Sequence, residues 1–184
     1  KPIEADQARN APEHFSIYKR SAKKIAGGGM GLSTVNLAEE SSAYSFGALG
    51  QYQWKHGILL VGRGHLIMAS GTAIDRDNEN EREDFSVTVI NLIPALAYEF
   101  LPRYMVSFRA EAGLGLSYVD VDTASTSYPR SLDKIEPGMG MATRFQGSAL
   151  FNRMGDWHPE VFADWTFFQD AKASTLGIGV LKEI

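Results

Sequence analysis

The strongest constraint in this sequence is a strict alternation of residue types between residues 103 and 118. Every second residue from Tyr104 to Tyr118 is apolar, whereas the positions between them are mostly arginine, serine, glutamate and glycine. A period of two indicates a β-strand with one face in an apolar environment. Such a strand is about 50 Å long, or about 34 Å tall at a tilt of about 45°, which would cross an outer-membrane hydrocarbon band and both interfaces.

The same period of two continues along most of the chain after residue 24. Apolar faces with aromatic ends recur over 43–54, 135–152 and 158–169, and the opposite faces carry mainly polar residues or glycine. Turn-forming residues separate these runs. The predicted strands are 25–38, 43–54, 57–70, 85–100, 103–120, 135–152, 158–169 and 174–184. We therefore predict an all-β fold, an eight-stranded antiparallel up-and-down barrel over residues 25–184.

The composition excludes several other kinds of protein. The chain has 184 residues and no cysteine, so it contains neither a disulfide framework nor a thiolate zinc site. Its longest charge-free stretches have 14 residues, which is short of the roughly 20 that a membrane helix needs. Basic residues neither cluster on one strand face nor interleave with aromatic ones, so no nucleic-acid partner is expected. No cofactor or metal is expected either.

Residues 1–24 differ from the rest and are predicted to form a separate periplasmic segment. Phe15, Tyr18, Ala22 and Ile25 recur at spacings of three and four, with basic residues between them, which is a short amphipathic pattern. The segment would lie on an anionic membrane surface or form a solvated tail. It lacks the apolar run of a signal peptide, so we expect a mature or a cytosolic chain.

The alternating sheet can close with its apolar face inward, as in a soluble lipocalin-like binder, or outward, as in a membrane barrel. Three features favour lipid outside: aromatic residues at strand ends, glycines on the polar face, and both signs of charge on that face. Lysine is scarce on the predicted strands, unlike a solvated exterior. The predicted interfacial aromatics are Tyr44, Trp54, Tyr98, Tyr104, Tyr118, Phe151 and Trp165.

The connections between the predicted strands alternate in length. The longest are 71–84 and 121–134, on the same side of the barrel, and short turns lie on the other side. Membrane barrels have short periplasmic turns and longer extracellular loops, so both termini are expected in the periplasm of a Gram-negative bacterium. Residues 71–84 carry a local charge of −4, equal to that of the whole chain. An extracellular protein or a divalent cation is a conceivable partner for this loop.

The polar face would fill a lumen that is only wide enough for side chains. Its predicted polar network contains Arg63, His65, Arg109, Glu111, Arg144 and Asp164, together with Asn91, Glu99, Glu136, Gln146 and Glu160. Because buried charges must be matched, the arginines and carboxylates predict a salt-bridged plug. A gated pore and a polar ligand site are the alternatives. If the chain is an enzyme, His65, Ser117 and Asp164 are the candidate catalytic residues.

The sequence resembles the small eight-stranded outer-membrane barrels, a group with the OmpA transmembrane domain and the opacity-type proteins. The resemblance covers residues 25–184 and is carried by motifs such as Phe108-Arg-Ala-Glu-Ala-Gly-Leu-Gly-Leu-Ser-Tyr118. A weaker similarity to the lipid A palmitoyltransferase rests on Gly27–Ser33 and on Pro94. By that similarity, ladder bonds missing at Pro94 and Pro137 would open lateral gates for lipid.

These observations give three functional hypotheses. The first is a monomeric outer-membrane barrel with a structural or surface-interaction role, in contact with lipopolysaccharide and acting through its two long loops. The second is an outer-membrane enzyme that acts on acyl chains of lipid A or phospholipid. The third is the soluble lipocalin-like binder.

Overall fold

The computed structural model describes residues 24–37, 40–55, 57–74, 82–101, 104–123, 132, 135–152 and 156–184. Its strands are β1 (Lys24–Val35), β2 (Glu40–Lys55), β3 (Ile58–Ile74), β4 (Arg82–Phe100), β5 (Val106–Thr123), β6 (Gly138–Phe151), β7 (Trp157–Phe168) and β8 (Ala171–Glu183). Each strand pairs antiparallel with the next, and β1 pairs with β8 to close the barrel. The predicted fold class is confirmed. No helix in the described part of the chain is long and apolar enough to cross a membrane.

The two ends of the barrel differ in their connections. The terminal end carries both Lys24 and Ile184, whose backbones are joined by a 3.0 Å hydrogen bond, and the turns after β2, β4 and β6. The loop end carries the other connections. The turn at the terminal end between β2 and β3 requires a glycine, because Gly57 has a φ of 75° and a Cβ there would strike the Tyr98 ring.

Some predicted connections are shorter than expected. β3 and β4 continue into the predicted loop 71–84, so only residues 75–81 separate them, and β5 runs to Thr123, into the predicted loop 121–134. The connection between β7 and β8 is a tight turn at 169–170. The predicted alternation of long and short connections was therefore wrong at this turn. Residues 1–23, 75–81, 124–131 and 133–134 lie outside the described residues. They include nearly all of the predicted N-terminal segment, half of the predicted loop 71–84 and most of the predicted loop 121–134.

The outer face of the barrel carries an apolar belt. Large apolar side chains from all eight strands are exposed there, with Leu32 at 69%, Leu92 at 64% and Ile178 at 63% of their full accessibility. The predicted outward faces of 43–54, 103–120, 135–152 and 158–169 all point this way. The inward apolar orientation of a lipocalin-like binder is therefore wrong for most of the barrel.

The interior contains two apolar clusters as well as polar residues. The loop-end cluster includes Ile67, Phe85, Val87 and Val119 from the strands, and Leu132 from the connection between β5 and β6. The terminal-end cluster consists of Ile25, Leu49, Leu59, Val61, Ala95, Ala97, Leu150 and Leu181. The expectation that polar side chains fill the whole lumen was therefore wrong at the levels of the loop-end cluster and the terminal-end cluster.

The interior changes from polar to apolar at one level near the loop end. On every strand a buried polar residue is followed, two positions closer to the loop end, by a buried apolar residue. These pairs are Ser33 and Val35, Ser45 and Ala43, His65 and Ile67, Asn91 and Val89, Ser117 and Val119, Arg144 and Ala142, Thr166 and Phe168, and Thr175 and Ala173. We call this level the inversion ring.

The outer face changes in the opposite direction at nearly the same level. The last apolar outward residues before it are Leu32, Tyr44, Met68, Ile90, Tyr118, Met139, Phe167 and Leu176. Beyond them the outward residues are Thr34, Ser42, Ser70, Thr88, Asp120 and Ser174. The other two strands stop at this level, because β6 begins at Gly138, just before Met139, and β7 ends at Phe168, just after Phe167. We call the part beyond the ring the collar. It is polar outside and apolar inside, whereas the belt is apolar outside and contains both polar side chains and the terminal-end cluster inside.

Candidate functional site

Three arginine–carboxylate pairs form a charged layer in the barrel interior. Arg63 on β3 binds Glu111 on β5 through two parallel hydrogen bonds of 3.0 Å, from Nε to Oε1 and from Nη2 to Oε2. Such fork-like pairing is among the strongest geometries for a guanidinium and a carboxylate. Both side chains are almost entirely buried. The two charges therefore neutralise each other out of contact with solvent.

The other two pairs extend this layer across the barrel. Arg109 Nη2 on β5 donates to Glu160 Oε1 on β7 at 2.6 Å and lies 4.0 Å from Glu111 Oε2. Arg144 Nη2 on β6 donates to Asp164 Oδ2 on β7 at 2.8 Å. All of these groups are buried. The three arginines face three carboxylates, so the layer has no formal net charge.

Amide and hydroxyl side chains connect the pairs into one network. Gln146 donates to Glu160 at 3.0 Å and accepts from Arg144 at 2.8 Å. Gln51 accepts from Arg109 at 2.8 Å, and Thr166 donates to Asp164 at 3.2 Å. Hydrogen bonds thus join side chains of β2, β5, β6 and β7, and the Arg63–Glu111 pair of β3 and β5 meets this network through the 4.0 Å contact between Glu111 and Arg109.

A second polar group lies inside the terminal end. Ser107 donates to Glu99 at 2.8 Å, and Asn152 donates to Ser107 at 3.1 Å and to the Tyr104 carbonyl at 3.1 Å. His158 Nε2 lies 3.1 Å from Glu183 Oε1, and the imidazole is fully buried. The sequence analysis did not single out this pair, although His158 has the same parity as Glu160 and Asp164.

The structure places the predicted network residues Arg63, Arg109, Glu111, Arg144 and Asp164 in the charged layer. His65 is inside the barrel as well, but its Nδ1 has no hydrogen-bond partner among the described residues.

Two of the predicted lumen carboxylates lie outside the charged layer. The prediction for Glu136 was wrong, because it is exposed at the loop end, where its backbone N–H donates to Gln169 Oε1. Glu99 belongs to the polar group of the terminal end.

The candidate catalytic residues do not form a hydrogen-bonded chain. His65 on β3 and Ser117 on β5 are separated by Asn91 on β4, which is register partner to both. Among the described residues Ser117 Oγ has no partner, and the Asp164 carboxylate is held by Arg144 and Thr166. All three residues are buried inside the barrel. The three residues therefore lie in the same interior, but the described side chains do not form the hydrogen-bond chain from nucleophile to base to acid that nucleophilic catalysis needs.

The predicted interfacial aromatics all lie on the outer face and are between 40% and 59% exposed. Tyr44 and Tyr118 are the last apolar outward residues before the collar, and Trp54, Tyr98, Tyr104 and Phe151 lie toward the terminal end. Trp165 lies one outward position below Phe167, inside the belt.

The ladder between β4 and β5 is interrupted at Pro94. The register pairs run from Leu92 with Leu116 to Ala95 with Gly113, and the two pairs between them are missing. Proline has no N–H to donate to the ladder. The neighbouring pairing of β3 with β4 continues through Gly62 and Pro94 without a break.

No protein-family model matches this sequence, and no curated protein matches it either. Solved structures do match the fold. Neisserial surface protein A covers 90% of this chain with all of its own length, at 9% identity and a TM-score of 0.63. The attachment invasion locus protein Ail of Yersinia pestis, crystallised with the heparin analogue sucrose octasulfate, covers 90% with all of its length, at 11% identity and a TM-score of 0.60.

The outer membrane protein OprG from Pseudomonas aeruginosa gives a TM-score of 0.54 at 10% identity, covering 91% of this chain with all of its own length. Identities this low carry information about the fold alone. Together with the closed sheet and the belt, they show that the chain has the fold of the small eight-stranded outer-membrane barrels.

Proposed function

We propose that this chain is an integral outer-membrane barrel with a closed interior and a structural or surface-interaction role. The observation that carries the proposal is the belt, because an exterior of large apolar side chains is stable only against lipid. From Ile90 to Phe100 the outward face of β4 is about 33 Å long, or about 24 Å tall at a tilt of about 45°. That height matches the apolar band of about 25 Å that bacterial barrels present to lipid.

The closed interior is supported by three successive layers of packed side chains. The charged layer lies between the loop-end cluster and the terminal-end cluster. Leu132, from the connection between β5 and β6, is fully buried in the loop-end cluster. An eight-stranded barrel has room only for its own side chains, so these layers form a plug. We therefore expect no steady ion conductance.

The surface role is assigned to the loop end. The collar lies beyond the belt, at the end of the barrel opposite Lys24 and Ile184, and the strand ends Ile74, Arg82 and Thr123 belong to it. Residues 71–84 carry a charge of −4. This charge disfavours a sulfated ligand like the one bound to Ail and favours a divalent cation or a basic protein surface. We expect a monomer that contacts lipopolysaccharide through its belt.

The proposed membrane location is tested by extraction and gel migration. Native membranes containing the protein should release it only with detergent, and the unboiled protein should migrate differently from the boiled one. A protein that stays fully soluble without detergent would contradict the proposal. Conductance recordings of the protein in planar bilayers then test the plug. We expect no stable conductance steps.

A lipid-modifying enzyme is the second candidate, and the ladder break at Pro94 is the observation that favours it. Its test is the lipid A mass spectrum of cells that express the protein, compared with cells that express His65→Ala. A new lipid A species that disappears in the variant would support the enzyme. If neither strain contains a new lipid A species, an enzyme that modifies lipid A is excluded.

A further inference from the structure

The two ends of the barrel differ in the sign of their charge. Among the described residues, the charged side chains at the terminal end that are not buried are Lys24, Asp156 and Lys182. Those at the loop end are Glu83, Asp84, Asp120, Asp122, Glu136 and Asp170 against Arg82 and Lys172. The described part of the terminal end is therefore net positive, and that of the loop end is net negative.

The two lysines of the terminal end are neighbours on the strands that close the barrel. Lys182 on β8 is register partner to Ala26 on β1, and Lys24 is the next outward residue of β1 toward the terminal end. Lys24 and Lys182 are thus diagonal neighbours, a relation that places two residues about 7–8 Å apart. Both side chains are exposed. Their ammonium groups can therefore reach one common partner.

Aromatic side chains flank this pair on both sides. Trp157 on β7 is register partner to Lys182, and the Lys182 ammonium group lies 5.0 Å from the centroid of the indole ring. Tyr52 on β2 is register partner to Lys24. Trp157 and Tyr52 are 50% and 43% exposed. Tryptophan, tyrosine and lysine side chains are typical of the headgroup level of a membrane. We call these four residues the basic seam.

The ammonium groups of the basic seam lack a carboxylate partner within the described part of the chain. The ion pairs found there within 4.0 Å all lie inside the barrel, and none includes Lys24 or Lys182. The sequence directly before Lys24, Lys19-Arg-Ser-Ala-Lys23, adds only positive charge. Two cations side by side repel each other, and an anion between them removes that repulsion.

The belt is recessed directly beyond the basic seam. Ala26 on β1, Gly50 on β2 and Gly62 on β3 are successive register partners, and all three point outward. A Cβ on Gly50 would have no neighbour within 4 Å, and one on Gly62 would have the Gly50 carbonyl oxygen at 4.0 Å. The nearest large outward residues of β2 are Tyr52 on one side and Phe46 on the other. The recess gives room for an acyl chain that starts at the level of the lysines.

We propose that the basic seam binds an anionic phospholipid from the leaflet at the terminal end. Its phosphate lies between the ammonium groups of Lys24 and Lys182, and an acyl chain lies in the recess. The Trp157 N–H and the Tyr52 hydroxyl are further donors for phosphate oxygens. A zwitterionic headgroup would bring a third cation to the two lysines, whereas a headgroup with a net negative charge neutralises them. The negative loop end disfavours the same lipid in the other leaflet.

The test uses Trp157 as the reporter in the full chain carrying Trp54→Phe and Trp165→Phe, folded into phosphatidylcholine vesicles. Part of the lipid is replaced by phosphatidylglycerol or phosphatidylcholine with brominated acyl chains, because bromine quenches nearby indole fluorescence. One lysine near an anionic lipid surface is worth about a fivefold change in binding. We therefore expect phosphatidylglycerol to be preferred at Trp157 by about fivefold or more, and less so in high salt. Equal quenching by the two brominated lipids would overturn the proposal.

Matched variants locate the preference on the barrel. Lys24→Gln combined with Lys182→Gln should abolish it, whereas Lys172→Gln at the loop end should leave it unchanged. A chain with Trp165 as its only tryptophan reports on the belt close to the collar and should show a much smaller preference. A preference that survives the double variant, or one that is as large at Trp165, would overturn the proposal.

The inference rests on the membrane location given by the proposed function, and the two fail with different results. If neither brominated lipid quenches Trp157, the belt does not face lipid and both proposals fail. If both lipids quench it equally, the membrane location stands and the basic seam does not select an anionic lipid.

Discussion

The belt and the collar are built from the same strands but have outer faces of opposite polarity. On β4 the outward residues of the belt include Ile90, Leu92 and Leu96, and those of the collar are Ser86 and Thr88. The inward residues differ less: Val89 and Val87 in the collar are apolar, and the belt has the polar Asn91 and Glu99 with the apolar Ile93, Ala95 and Ala97 between them. The direction in which a side chain points is fixed by the pleat. The polarity of the outward residues follows the medium outside.

The comparison explains how one barrel is stable in two media. In the collar the hydrophobic effect packs apolar side chains inside, as in a soluble protein. In the belt lipid solvates apolar side chains outside, and the interior combines paired charges and hydrogen bonds with the terminal-end cluster. The predictions that follow perturb one region and use the other as its reference.

The largest effect is expected from breaking a pair in the charged layer. Arg144→Ala removes the arginine that binds Asp164 and leaves a buried carboxylate that, within the described part of the chain, keeps the neutral Thr166 hydroxyl as its partner. Loss of one member of a buried ion pair costs about 3–5 kcal/mol. Urea unfolding in phospholipid vesicles measures this loss. The matched control is the double variant Arg144→Met with Asp164→Leu, which removes both charges and should recover much of the stability.

A smaller but direct contrast comes from a charge on the outer face of one strand. Leu96→Arg, near the middle of the belt, should destabilise the barrel by about 2–4 kcal/mol, because the guanidinium faces hydrocarbon far from both interfaces. Ser86→Arg in the collar should change the free energy of unfolding by less than about 1 kcal/mol, because this position faces water. Equal losses for the two variants would contradict the assignment of belt and collar.

The smallest effect concerns one methylene group on either side of the wall. Ile67→Val removes it from the loop-end cluster, where Ile67 is fully buried, and should cost about 0.5–1.5 kcal/mol. Ile90→Val removes the same group from the belt, where lipid can fill the space, so the expected change is under about 0.5 kcal/mol. The same vesicle unfolding experiment compares them. A larger loss at Ile90 than at Ile67 would mean that the collar lacks a packed core.

Much of the fold could be predicted from the alternation alone. The eight strands and the outward faces of β2, β5, β6 and β7 follow from residue types at a spacing of two. The belt is readable because lipid demands a nearly uniform apolar face. The opposite face gives less information, because both small and charged residues fit a narrow lumen.

The collar could not be seen when each strand was treated as one pattern. In β4 the outward residues are polar from Asp84 to Thr88 and apolar from Ile90 to Tyr98. The inward residues are apolar from Phe85 to Val89, polar at Asn91, and apolar again from Ile93 to Ala97. No single parity is therefore apolar over the whole strand.

The pairing of charges was also beyond the sequence. The register partners of Arg109 are Glu99 and Ser148, yet its guanidinium binds Glu160 on β7. Arg63 likewise binds Glu111 across the intervening strand β4. Long side chains cross a narrow interior, so the partner depends on the curvature and stagger of the closed sheet. Those quantities are set by all eight strands together.

The central claim is that the inversion ring marks the boundary between lipid and water. The chain has no cysteine, so single spin labels can be placed at residues 84, 86, 88, 90 and 92, which alternate along the outer face of β4. In vesicles, collision with apolar oxygen and with a water-soluble nickel complex reports the medium around each label. The account predicts water at 84, 86 and 88 and lipid at 90 and 92. A profile with no change, or with its change elsewhere on the strand, would contradict it.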